Sequence, residues 1–261
     1  MQRQRYITDL TDAQWESLGP KLGARAAVGR PREHDIREVV NALSFMISTG
    51  CQWRNIPNDF PPWKSVNYYF MKWRRLGTFE QIEIELLHAI RIREGRTSEP
   101  SAGIMDAQAV DCPTSGDNRG YDKAKNVKGR KRHILTDVLG LVLTLVVTGA
   151  DVPDRNGAEL LFQHERYPQT LLRIWADKGY RGPIVESFAA ARDVIVEIVD
   201  NPSPHEFVVA KRRWVVERTN AWLSQARRLT LDREKTKKSS TSMIFLRLCI
   251  LYSKWKHQGM S

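Results

Sequence analysis

The sequence predicts an α/β fold: a mixed five-stranded sheet with flanking helices, preceded by a small all-α domain. Three observations carry this. Up to about residue 95, apolar residues recur at the spacing of a helix face. After about residue 100, apolar runs of strand length bounded by turn residues take over. Those runs alternate with amphipathic segments in the order three strands, helix, strand, helix, strand, helix. The expected boundaries are therefore 1–95 for the helical part and 96–261 for the sheet and the closing helices.

In the first part, Ile36, Val39, Val40, Leu43, Met46 and Ile47 step along one face between Asp35 and Thr49, and Gly50 is a stop. The prolines at 57, 61 and 62 mark a loop. PWKSVNYYFMKWRRLG then reads as an aromatic helix ending in basic residues, and Phe79 to Arg93 as a third helix with Ile82, Leu86 and Ile90 on one side. The last two helices suit a helix-turn-helix with Lys72, Arg74 and Arg75 near phosphates. They suit equally a plain bundle whose Trp and Tyr side chains are core. The polar segment REGRTSEPSAG, residues 93–103, is the expected linker.

Beyond the linker, AGIMDAQAV is a strand, and KRHILTDVLGLVLTLVVTGA is two strands joined near Asp137 to Gly140. Asp154 to His164 is a helix that Asp154 is suited to cap. LLRIWAD is a strand, PIVESFAAARD a helix with proline at its start, and VIVEIVD another strand. Arg212 to Leu229 reads as one strong amphipathic helix. Met243 to Trp255 is a second, with Ile244, Leu248, Leu251 and Trp255 along one stripe.

Of 261 residues, 41% are hydrophobic and 27% charged, the balance of a globular chain rather than a disordered one. The net charge of +11 favours a polyanionic partner, nucleic acid or an acidic membrane surface. No apolar core follows the first arginines, and the longest apolar run, residues 139–150, is too short to cross a bilayer. Neither a signal peptide nor a membrane partner is expected. The three cysteines, far apart and odd in number, suggest buried hydrophobes in a reduced cytoplasmic protein rather than disulfides or a zinc site.

The element order matches the ribonuclease H-like fold, in which right-handed crossovers set the first and fourth strands side by side. Asp106 then lies in the first strand and Asp177 ends the fourth, where ligands of open α/β sheets gather. The helix bearing Glu217 can pack across that end. Asp106 follows Ile104 and Met105, and Asp177 follows Ile174, Trp175 and Ala176. A carboxylate interrupting an apolar strand costs stability unless it has a partner, which favours a functional role for both. Gly179 and Gly182 suggest a tight backbone near a ligand. Glu217 is less distinctive, since a pair with Arg213 one turn earlier would also account for it. Three carboxylates without His or Cys suit hard divalent ions. Two Mg2+ (or Mn2+) ions roughly 3.5–4 Å apart would activate an attacking oxygen and neutralise a leaving one in phosphodiester cleavage.

Basic residues flank these positions. Arg119, Lys123, Lys125, Lys128, Arg130, Lys131, Arg132 and His133 precede or open the second strand. Lys178 and Arg181 adjoin Asp177, and Arg213 and Arg218 adjoin Glu217. Arg227 and Arg228 lie about three turns further along the same helix. Such a run is either a solvated face or a set of phosphate contacts. Its concentration beside the carboxylates favours the second, while His133 is equally a phosphate donor or an ordinary strand residue.

MDAQAV, DNRGYDKAKNVKGRKRHILTDVLGLVL, ADKGYRG and RWVVERTNAWLSQARRL together resemble the DDE transposases of bacterial insertion sequences, specifically the insertion-sequence-five family. GRPREHDIREVVNALSFMISTGCQWRNIPNDFPPWKSVNYYFMKWRRLG is similar to that family's leading helical domain. The resemblance implies a ribonuclease H-like catalytic domain with Asp106, Asp177 and Glu217 as the metal-binding triad. It also implies binding of terminal inverted repeats, exposure of 3′-hydroxyls by hydrolysis, and their attack on target DNA. DNA, both element ends and target, is the implied partner, with a homodimer or higher oligomer on paired ends. In related enzymes the Glu belongs to a Y-x2-R-x3-E-x6-K pattern. Arg213 and Glu217 fit it, but Ala210 stands at the Tyr position and Ser224 at the Lys position. Two other readings remain open: a nuclease that cuts without joining, and a non-catalytic DNA-binding protein.

Overall fold

The computed structural model describes residues 3–23, 33–113, 116–199 and 213–260. In chain order the elements are α1 (Asp12–Leu22), α2 (Ile36–Thr49), α3 (Trp63–Arg75), α4 (Thr78–Arg93), β1 (Ala102–Asp111), β2 (Gly120–Asp122), β3 (Val127–Asp137), β4 (Val142–Gly149), α5 (Asp154–Gln163), β5 (Arg173–Ala176), α6 (Pro183–Ala191), β6 (Ile195–Ile198), α7 (Arg213–Ser224), α8 (Arg227–Thr230) and α9 (Lys237–Gln258). The chain forms two compact units. One comprises Met1–Arg96, Gln225–Leu229 and Ser242–Ser261; the other comprises Thr97–Ser224 and Thr230–Thr241.

The first unit is helical because its segments each carry an apolar face and local stop signals. In α2, Val39, Val40, Leu43, Met46 and Ile47 are fully buried. Asp35 caps the helix by accepting from the Arg37 amide, and Gly50 ends it in the left-handed region at φ 74°. A capping box at Thr11 and Gln14 starts α1. Phe70 and Trp73 of α3 pack on Phe79 of α4, so the aromatic helix supplies core, while Tyr68 stays exposed. The closing helix α9 is longer than the single stripe predicts and is buried on nearly every side from Met243 to Tyr252. Its Cys249 thiol donates to the Phe79 carbonyl, and Gln14 donates to the Ile250 carbonyl. The expected helix Arg212 to Leu229 is broken: α7 ends at Ser224 and α8 begins at Arg227. In α8, the Arg228 guanidinium is buried and donates to the Cys51 carbonyl at 2.8 Å.

The second unit is the sheet, with the ribonuclease H-like order expected. Its central path runs β2-β3-β1-β5-β6, and β4 also pairs with β3. The β1–β5 and β5–β6 pairs are parallel and the rest antiparallel. The sheet has six strands rather than five. The extra one, β2, is three residues long and polar, too short to show a period. It occupies the edge of β3 at Val127–Gly129, and β4 takes over that edge from Arg130. Alternation puts His133 on the face where Gly157 of α5 touches its ring, and Asp106 on the face covered by α7. Ile104, Trp175, Val215 and Val216 form a buried cluster that seats α7 on β1 and β5. Asp154 does not cap α5; Pro153 holds the cap position and makes no side-chain cap bond.

Candidate active site

Register places the two aspartates next to each other. Ile104 pairs with Trp175 and Met105 with Ala176 in the parallel β1–β5 ladder. One step beyond the last pair stand Asp106 and Asp177, both half-buried. Because side chains alternate, each shares the sheet face of the residue two before it, Ile104 or Trp175. That is the face on which Val215 and Val216 of α7 lie. Asp106 and Asp177 thus stand at the carboxyl end of adjacent strands, with α7 over Asp106.

Asp177 leaves its strand into a short 3-10 turn, Lys178–Tyr180, which its carboxylate caps by accepting from the Gly179 amide at 2.8 Å. A Cβ on Gly179 would meet Asp177 Oδ1 at 3.0 Å and Asp154 Oδ2 at 3.3 Å, so a second carboxylate borders this turn. Across the site, the Asn220 amide on α7 donates to Asp106 Oδ2 at 3.2 Å. One turn further along α7, Ser224 bonds the Asn220 carbonyl and receives Gln108 Nε2 at 3.5 Å. The position where related enzymes carry Lys is therefore part of the docking of α7 on β1. Ala210, at the Tyr position, lies outside the described residues.

Glu217 is exposed on α7, three residues before Asn220. Among the described residues no group of three or more His, Cys, Asp or Glu side chains stands close enough to hold a metal ion. The backbone thus brings Asp106 and Asp177 to one strand end and puts Glu217 on the helix above, without gathering the three carboxylates. The oxygen-only donor set of the two aspartates, half-buried at a strand end, fits a hard divalent ion.

The basic run divides sharply. Lys123, Lys125 and Lys128 are exposed, and Arg119 is half-buried. Lys125 reaches the Ala107 carbonyl, beside Asp106, at 3.1 Å. Arg130, Lys131, Arg132 and His133 are all buried, which corrects the expectation that they face phosphates. The reason is topological. They lie on the stretch of β3 that runs between β1 and β4 and is buried on both faces, so even these charged side chains point into the unit. Arg130 pairs with Asp232 at 3.0 Å and Asp117 at 3.2 Å. Arg132 donates to Gln108 at 3.2 Å, and burial pulls its pKa down to about 10 despite the charge of Asp232. On the opposite face, Lys131 is held by Asp122 and Asp154, each at 3.1 Å, and by the Val152 carbonyl. His133 bonds Thr148 at 2.9 Å, and burial pushes its pKa down to about 4, with Asp154 opposing and Lys131 assisting.

Among the other predicted phosphate contacts, Lys178 and Arg181 are exposed beside Asp177. Arg218 is half-buried between the rings of Trp214 and Trp222, 4.6 Å from each, and donates to the Leu139 carbonyl. Burial lowers its pKa, with Asp137 acting the other way. It is a packed residue as much as a cation. Arg213 opens α7. In the helical unit, Arg227 and Arg75 are exposed, Lys72 and Arg74 half-buried, and Arg228 buried. Asn220 has no role in the sequence reading, and Asp154 has there only that of a helix cap. An Asn inside an amphipathic helix is a poor helix former, and that was the signal available for the first.

Residues 97–252 match the sequence pattern of a family described as "Transposase DDE domain". Residues 10–83 match a second, described as "Putative transposase of IS4/5 family". A protein of Burkholderia cepacia described as "Putative transposase for insertion sequence element IS402" is 30% identical over 158 residues, covering 57% of this chain and 72% of that protein. No described helix is long and apolar enough to cross a membrane.

Proposed function

Since the chain belongs to the DDE transposase family, we propose that it binds the terminal inverted repeats of an insertion sequence and catalyses DNA cleavage and strand transfer with Asp106, Asp177 and Glu217. The observation that supports this most is the register of β1 and β5, which ends with Asp106 and Asp177 one step beyond the last pair at the strand carboxyl ends, while the helix bearing Glu217 touches Asp106. Residues three apart on a helix are about 5–6 Å apart at Cβ, so Glu217 is one turn from a residue that already touches Asp106. To join the aspartates on a metal, its flexible side chain would turn inward from solvent.

In this reading, Asp106 lies between the other two ligands, Asp177 holds one side and Glu217 the other. Two bound Mg2+ or Mn2+ ions would supply activation of the attacking oxygen and neutralisation of the leaving one. The β1–β5 ladder fixes the spacing of the aspartates before DNA arrives. Lys178 and Arg181, exposed beside Asp177, hold scissile-strand phosphates, and Lys123, Lys125, Lys128 and Arg119 extend that contact along the β2–β3 hairpin. One site serves both steps, with water as nucleophile in cleavage and the liberated 3′-hydroxyl in joining. The helical unit selects the ends, using Lys72, Arg74, Arg75 and Arg227. Paired ends call for a dimer or larger assembly on DNA, acting in the cytoplasm at the nucleoid.

The test uses purified full-length protein, Mg2+ or Mn2+, labelled element ends and a supercoiled target plasmid. Metal-dependent insertion is expected, and Asp106→Asn, Asp177→Asn and Glu217→Gln should each abolish cleavage while retaining end binding. Nicking without joining would replace the proposal by a nuclease. Binding without any cleavage would replace it by a DNA-binding protein.

A further inference from the structure

Beyond the three carboxylates, α7 presents a fourth side chain to the site. We infer that Asn220 is a positioning residue that orients the Asp106 carboxylate for metal binding. The inference rests on the proposed role of Asp106 as a metal ligand.

Three observations converge on it. Asn220 Nδ2 lies 3.2 Å from Asp106 Oδ2. The assignment of nitrogen to this position follows from chemistry, because a carboxylate oxygen needs a donor and the flipped amide would oppose it with an acceptor. Second, among the described residues Asn220 Oδ1 is buried with no hydrogen-bond partner, and Asp106 is the partner of the other end of the amide. The contact with Asp106 is therefore what fixes the orientation of this amide. Third, the helix is locked at this height. Ser224 bonds back to the Asn220 carbonyl and receives Gln108, which in turn accepts from the buried Arg132. Gln108 and Asp106 are two residues apart on the same face of β1, so this chain of bonds sets the register of α7 against the strand that carries Asp106.

A ligating carboxylate with one oxygen hydrogen-bonded loses rotational freedom and presents its remaining lone pairs in a fixed direction. Residues that orient metal ligands in this way commonly contribute about 10–100-fold to metal affinity. Asn220 also couples the aspartate to the helix that bears Glu217, so the same contact helps keep the two halves of the ligand set in one frame.

The test is a Mn2+ titration of the full-length protein, followed by calorimetry and by metal-induced thermal shift, alongside Mn2+-dependent end cleavage. Asn220→Ala should raise the half-saturating Mn2+ concentration about tenfold and leave the metal-free Tm near that of wild type. Asn220→Leu has nearly the same shape, forms helix better and has no donor. It should show the same loss of metal affinity, which separates a missing hydrogen bond from poor folding. Asp106→Asn, run in parallel, should remove the Mn2+ response. If both Asn220 variants bind Mn2+ as wild type while Asp106→Asn does not, Asn220 has no positioning role and the reading of Asp106 stands. If Asp106→Asn binds as wild type, the reading of Asp106 falls and the inference with it.

Discussion

Replacing Lys131 by Met tests the most consequential difference between the sequence and the fold. If Lys131 were a phosphate contact, its loss would weaken DNA binding and leave stability alone. In the structure its side chain is 6% exposed and its ammonium is shared by Asp122, Asp154 and the Val152 carbonyl. Methionine keeps most of the stem but leaves Asp122, itself only 10% exposed, without its ion-pair partner and with only the weaker charge of Lys125 nearby. Breaking one partner of a buried pair costs about 3–5 kcal/mol. Asp154 keeps 23% exposure and can rehydrate, so the lower end, about 3 kcal/mol, is expected. For a chain of this size that corresponds to a fall in Tm of about 6–12 °C. The pH dependence gives a further check. Burial works against ionisation of Asp122, but bonds from Lys131 and the Lys125 amide outweigh it, so its pKa lies below the usual 3.8. Burial likewise opposes the charge on Lys131, and the two aspartates outweigh it, raising its pKa above 10.5. The pair's contribution is therefore present from above pH 3.8 to below pH 10.5. It is lost as pH falls through the lowered carboxylate pKa or rises through the raised ammonium pKa. Urea unfolding of wild type and variant across this window should show a constant gap that closes in acid. A variant with unchanged Tm but a reduced salt slope of DNA binding would refute the buried placement.

Three other outcomes follow from the same geometry. His133 has its pKa lowered to about 4 chiefly by burial, so the unfolded chain binds its proton first. Stability present above pH 6.5 should be lost as pH falls towards 4, by on the order of 3 kcal/mol. His133→Gln should flatten that slope in urea unfolding at stepped pH; an unaltered slope would remove His133 as its source. Lys123 and Lys128 are exposed, so the double alanine variant should leave Tm within about 1 °C and reduce the salt slope of DNA binding by about 2. Binding titrations at several salt concentrations measure it, and an unchanged slope returns both lysines to solvent. Gly179→Ala puts a methyl between Asp177 and Asp154, 3.0 Å and 3.3 Å from their oxygens. End cleavage should fall about tenfold or more with little change in Tm, since small displacements of reacting groups are costly; wild-type cleavage would show that the turn tolerates a Cβ.

Much of this protein could be read from residue order. The helical spacing of Val39, Val40, Leu43 and Met46 with Asp35 and Gly50 at the ends defined α2, because caps and periodicity are local properties. Asp106 and Asp177 stood out because a carboxylate is costly in an apolar strand, and the strand order set them side by side. What the sequence could not settle was which charges face water. Lys128 and Arg130 are two residues apart in one basic run, yet one is exposed and the other fully buried. The difference arises where β4 replaces β2 on the edge of β3 and where Asp232, from far along the chain, and Asp117, 13 residues earlier, neutralise Arg130. Those partners are separated from it in sequence and adjacent only after folding. Asn220 belongs to the same class: its contact with Asp106 spans 114 positions. Local chemistry thus determined the elements and the aspartates. Only the tertiary structure decided which polar groups hold the fold together and which stay exposed, because burial and pairing depend on what the rest of the chain brings to the same point.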